Sequence, residues 1–152
     1  MRLRNTVSFT NTQLLPTFDY TVTLLNRIKA QDSITKRDVW HTTVVRNCFF
    51  EVTTVRQAQG NNVSMGGAYK CLIPKQENYL PYHLWVKSPD NNLTFSEGDY
   101  IIRGELAEDE IVTPESVVKI VRQHKPDAFQ IRTFTDRTGT IELAEHYDVE
   151  GV

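Results

Sequence analysis

At 152 residues, 39% of them apolar, the chain has enough mass for one well-buried core and not for two. Seventeen Lys and Arg against nineteen Asp and Glu leave a net charge of -2, which excludes the overall basic field that drives nucleic-acid binding. The apolar runs are too short for a signal-peptide core or a membrane-spanning helix, so synthesis in the cytoplasm is expected, with Cys48 and Cys71 as buried thiols rather than a bridge.

Residues 1–18 precede the first strand-like pattern and read as an N-terminal arm. From Tyr20 onward Val22, Leu24 and Ile28 alternate with Thr21, Thr23, Arg27 and Lys29, the period of a half-buried strand, interrupted only by Leu25 and Asn26. After the turn residues of "AQDS", 34–55 predicts a long, bent or bulged second strand with Trp40, Val44, Cys48, Phe50 and Val52 on one face and Arg46 as the exception. Its other face holds Val45, Phe49 and Val55 among polar residues, so part of that face is expected to be covered. "AYKCLIP" predicts a short third strand ended by Pro74. Between these strands, 56–67 reads as a long polar loop: Gln57, Gln59, Gly60, Asn61, Asn62, Ser64, Gly66 and Gly67, with Met65 as its large apolar side chain.

"NYLPYHLWVKSPDNNLTF" is rich in aromatics and cut by Pro81 and Pro89, which predicts an irregular excursion with one helical turn in "YHLWV". "EGDYIIRGE" reads as the next strand, ended by Gly104. Helical grammar follows: Thr113 as cap, Pro114 at the first position, and Val117, Ile120, Val121 and His124 on one face, with Arg122 and Lys125 near the end. "DAFQIRTFTD", the turn "RTG" and "TIELAEHYDV" read as a terminal hairpin, the last strand alternating through Ile141, Leu143 and Tyr147. The order predicts a mainly β fold over 1–152 as a single domain. It is a small antiparallel β-barrel or sandwich, with one α-helix inserted before the C-terminal hairpin and plugging an open end of the sheet.

No reactive constellation emerges from the pattern. The four histidines, His41, His83, His124 and His146, lack ligand spacing, so no metal is expected. "SMGGAYK" is followed by a strand, whereas a phosphate-binding loop opens a helix. The carboxylates of "GELAEDEI" read as solvated. The expectation is a protein that is not an enzyme and holds no cofactor. The densest aromatic patch, Tyr79, Tyr82 and Trp85 with Leu80, Leu84 and Val86, reads either as a satellite core under its loop or as a partner surface. Stacking on nucleic acid is disfavoured, with only Lys75 and Lys87 at the flanks.

In their order, "RIKAQDSITKRDVWHTTVVRNCFFEV", "YKCLIP…YLPYHLW", "FSEGDYIIRGE", "HKPDAFQIRTFTDRT" and "EHYDVEG" resemble a family of small proteins encoded between the capsid and tail genes of tailed phages and prophages. The resemblance implies a structural virion protein of the phage neck, made in the host cytoplasm. It would be a head-completion or stopper ring of about six copies. Its partners would be the portal and adaptor on one side and the tail terminator or tail tube on the other, with packaged DNA passing through the lumen without sequence-specific binding and no membrane involved. In such a ring, Gln57, Gln59, Gly60, Asn61, Asn62, Ser64, Met65, Gly66 and Gly67 are expected at the lumen or the adjacent ring. Tyr79, Tyr82, Leu84 and Trp85 are expected at the subunit interface. A tail terminator or tail-completion role is the alternative within this class. A monomeric β-barrel binding a ligand or nucleic acid is the alternative outside it. The extension "VSFTNTQLLPTFDY" and the inserted helix depart from a minimal stopper barrel.

Overall fold

The computed structural model describes residues 18–139 and 145–152, with the backbone alone for 55–59 and 62–66. The arm read at 1–18, apart from Phe18, and the predicted strand positions Ile141 and Leu143 lie outside the described residues. Six strands, β1 (Tyr20–Ile28), β2 (Val39–Gln59), β3 (Asn62–Pro74), β4 (Tyr100–Arg103), β5 (Ala128–Arg137) and β6 (His146–Gly151), close into a barrel in the order β1-β2-β3-β6-β5-β4. Every neighbouring pair is antiparallel. Among the described residues two α-helices interrupt the strands, the single turn α1 (Tyr82–Trp85) and α2 (Val117–His124), beside a 3-10 turn at Ala30–Asp32. The mainly β barrel with a helix before a C-terminal hairpin, read from the strand pattern, is thus the observed fold.

Period-two alternation divides the strand side chains between two cores. Val22, Leu24, Ile101, Phe129, Ile131 and Val149 point inward and pack with Cys48, Phe50, Tyr69 and Cys71. Their chain neighbours Leu25, Ile102 and Ala128 point outward, where Val117, Ile120 and Val121 of α2 cover them. The helix therefore lies on the outer face of β1, β4 and β5 instead of plugging an open end, because those three strands carry apolar residues on both faces. It is also shorter than its capping pattern predicts: Thr113–Ser116 form a preceding turn in which Ser116 N–H donates to Thr113 Oγ1 at 3.1 Å. The buried Cys48 and Cys71 remain free thiols, and burial pushes the Cys71 thiol well up, away from reactivity.

The open end is closed by the excursion 75–99. Leu93 and Phe95 enter the inner core, and the rings of Tyr79, Phe95, Phe134 and Tyr147 pack with centroids 5.0 to 5.8 Å apart. Asn26, the polar interruption in β1, ties this excursion down. Its fully buried amide donates to Thr94 O at 2.6 Å and to Asp99 Oδ2 at 2.8 Å.

The long β2 changes partners halfway, its residues 39–48 pairing with β1 and 49–59 with β3. A bulge marks the corner: the register jumps between Tyr20↔Cys48 and Val22↔Val45, and Asn47 takes φ 62. One inserted residue inverts the alternation. Val45 is consequently core, Val44 is 41% exposed, and the single even-numbered face read across 40–52 does not exist. Arg46, the exception in that reading, was the sign of the inversion.

Gly151 sits where β6 crosses the β5 bulge between Ile131 and Thr133. A Cβ there would collide with the Gln130 carbonyl oxygen and stand 2.7 Å from Phe129 Cδ2. Gly151→Ala is expected to peel the C-terminus away, breaking the reciprocal backbone bonds of Gln130 and Val152 (2.8 and 3.1 Å). The expected loss is about 1–3 kcal/mol, read as a lower urea midpoint together with faster amide exchange at Gln130. An unchanged midpoint would show that the close approach is not tight.

Candidate assembly surfaces

Residues 56–67, expected as a polar loop, are instead paired backbone. The β2–β3 ladder continues through Thr54↔Gly67 and Gln57↔Ser64 to Gln59↔Asn62, leaving only Gly60 and Asn61 as a two-residue turn. Gly60 takes φ 59, which glycine adopts without steric cost. The misreading has a physical cause: outside the barrel neither face of a strand needs apolar residues, so alternation vanishes while backbone pairing persists. The dipeptide Gly60–Asn61 between two runs of strand length was the available signal.

This hairpin is an arm. The last β6 partner of β3 is Gly151, opposite Tyr69, and β2 has no β1 partner beyond Cys48. The six pairs from Thr54↔Gly67 outward therefore project beyond the barrel, roughly 20 Å at about 3.3 Å per residue. Tyr69 roots the arm. Its ring stacks on Phe129 at 5.2 Å, Lys125 Nζ lies 4.8 Å from its centroid, and it occupies the space over Gly67, where a Cβ would come within 3.0 Å of Tyr69 Cε2. No Lys, Arg, Asp or Glu occurs from Gln57 to Gly67.

The expected subunit-contact residues do not form one surface. Trp85 is fully buried, edge-on to His41 at 5.5 Å, its indole N–H donating to Asn92 O at 3.2 Å. Tyr79 belongs to the aromatic group that closes the barrel. Tyr82 is half-buried, its hydroxyl donating to Asp32 Oδ2 at 2.8 Å and accepting from Lys29 N–H at 3.0 Å. Leu84 alone is substantially exposed, at 44%. A loop short of regular structure buries its aromatics by folding them over the barrel mouth, and this uses up the platform read as a partner surface.

A polar cleft of about 750 Å³ runs along His41, Thr42, Thr43 and Val44 of β2, faced by Asn78 and Pro89–Asn92. The carboxylates of "GELAEDEI" are partly committed elsewhere: Glu110 accepts from Ala107 N–H at 2.9 Å and meets His124 Nε2 at 2.7 Å, and Glu105 pairs with Arg46 at 3.8 Å. The Ala107 bond first, and His124 after it, hold the Glu110 carboxyl below its usual range. Among the described residues no group of three or more His, Cys, Asp or Glu could hold a metal ion, and no helix is long and apolar enough to cross a membrane.

These features define a closed six-stranded β-barrel with a projecting hairpin arm. The chain belongs to a family of unknown function (DUF6751), whose match runs over residues 17–152. No curated protein and no solved structure matches it.

Proposed function

We propose that this chain is a ring-forming structural subunit of the phage neck, a head-completion or stopper protein whose β2–β3 arm reaches the lumen or the adjoining ring. The resemblance of its ordered segments supplies the neck, and the arm is the observation that carries the reading. A stable barrel that extends a paired, polar hairpin roughly 20 Å into its surroundings, with Arg56 as the single charged residue between Thr54 and Gly67, presents an element with no core of its own to serve. With one cation, Arg56, such an arm neutralises at most one phosphate per copy, so DNA slides past it without tight binding. The competing nucleic-acid-binding barrel loses support because Tyr79 and Trp85, its stacking platform, are spent in the core.

A symmetric truncation tests this role. Removing residues 56–59 and 62–65 together brings Val55 and Gly66, already register partners, to the Gly60–Asn61 turn and leaves the barrel ladders intact. Particles carrying the shortened arm are expected to package DNA and then lose it, seen as emptied heads by electron microscopy. Filled heads with unfinished tails would assign the terminator role instead. Wild-type yields of infectious particles would remove the arm from the function.

A further inference from the structure

The backbone directions of two strands point to a specific contact between copies. Gly104 N–H donates to Thr21 O and Arg27 N–H to Asp99 Oδ1, which shows that the odd-numbered residues of β1 direct their backbone groups toward β4. The even-numbered ones therefore face β2. With Val22↔Val45, Leu24↔Thr43 and Asn26↔His41 in register, the odd-numbered residues of this half of β2 bond to β1. The N–H and C=O groups of Trp40, Thr42 and Val44 consequently point the other way, into the polar cleft. β3 does not reach them, since its ladder with β2 begins at Leu72↔Phe49. Among the described residues nothing hydrogen-bonds to these three backbones on that side.

The arm presents the converse edge. Lys75 N–H donates to Glu145 O, so odd-numbered residues of β3 face the β6 side and even-numbered ones face β2. Val63, Met65 and Gly67 therefore turn their backbone groups outward, beyond the end of β6, where no described residue pairs with them. Natural sheets guard exposed edges with charges or prolines. Neither "WHTTVV" (40–45) nor "NVSMGGA" (62–68) contains one, whereas the other edge of the arm carries Arg56.

We propose that these two edges complete each other between copies: the Asn62–Ala68 edge of one arm adds as a strand along Trp40–Val44 of the next copy, lying in the polar cleft. Three outward-facing residues meet three. The pairing is between copies because the arm continues β2 itself, so residues 62–68 lead away from Trp40–Val44 of their own chain. Two different surfaces meet, and such a contact either closes a ring or runs on as a filament. The closed ring rests on the neck reading; the edge pairing does not.

Sedimentation velocity of single and mixed variants tests this. Met65→Pro and Thr42→Pro each remove one outward N–H without touching a ladder within the chain, and Thr42→Lys, at an exposed position, blocks the same edge without altering the backbone. The wild type is expected to form discrete oligomers, and each variant alone only monomers. Mixed in equal amounts, Met65→Pro, with an intact cleft, and Thr42→Pro, with an intact arm, are expected to form one-to-one dimers and nothing larger. This recovery also shows that both variants are folded. A mixture that stays monomeric, variants that assemble like the wild type, or a wild type that never associates would overturn the pairing. Variants still forming closed rings would leave the neck reading standing, whereas open filaments of wild type would support the pairing and remove the ring.

Discussion

Trp85→Ala is expected to cost about 3–5 kcal/mol of folding stability, the usual range for deleting a buried large aromatic. The side chain is fully buried beneath 75–99, and its loss removes the packing against His41 and Tyr82 as well as the indole bond to Asn92 O. The cavity opens under a segment that has only α1 and short turns of its own, so collapse around it would drag the barrel mouth rather than a rigid helix. Urea unfolding followed by fluorescence and circular dichroism gives the number. Leu84→Ala, one residue earlier and 44% exposed, serves as the comparison and is expected to stay within about 0.5 kcal/mol. Similar losses for the two variants would mean that Trp85 is not the anchor of the excursion.

The second large effect is a pH dependence centred on Asp99. Burial raises its carboxyl from the ordinary 3.8 to about 7, and the bonds from Asn26, Arg27 N–H and Ser96 N–H, together with the Arg27 charge, offset only part of that. Between these two values the folded chain holds a proton that the unfolded chain has released, so stability falls as pH rises. Asp99 contributes fully below about pH 4 and loses that contribution as the pH passes about 7. Between pH 5 and pH 8 the loss amounts to about 2–3 kcal/mol. Asp99→Asn is expected to remove this slope, whatever it costs at acid pH by misdirecting an amide toward two backbone donors. Urea midpoints of the two proteins that run parallel from pH 5 to pH 8 would show that Asp99 is ionised throughout.

The strands and the barrel class were legible because a closed sheet buries one face, and burial writes period-two alternation into β1 and β6, while β4 was marked by its flanking turn residues Gly98 and Gly104. Three features escaped for three different reasons. The bulge at Arg46–Asn47 inverted the alternation within β2, and an alternation count assumes constant phase. The arm lies outside the barrel, where no burial constrains its side chains. Trp85 and Tyr79 were ambiguous because an aromatic cluster in an irregular segment has the same composition whether it folds inward or waits for a partner. The outer position of α2 was partly visible in Leu25 and Ile102, apolar residues on the side of their strands that a half-exposed sheet would leave polar.

A single continuous strand of 21 residues runs from the barrel wall to the tip of the arm. A pull applied at Gly60 along that axis would draw β2 and β3 outward together and load the β1–β2 and β3–β6 ladders lengthwise, with many hydrogen bonds resisting at once, instead of opening them one at a time like a zipper. Under tension along the arm, the molecule would behave as a stiff member whose yield point lies at the kink beside Asn47, where the β1–β2 rungs are interrupted.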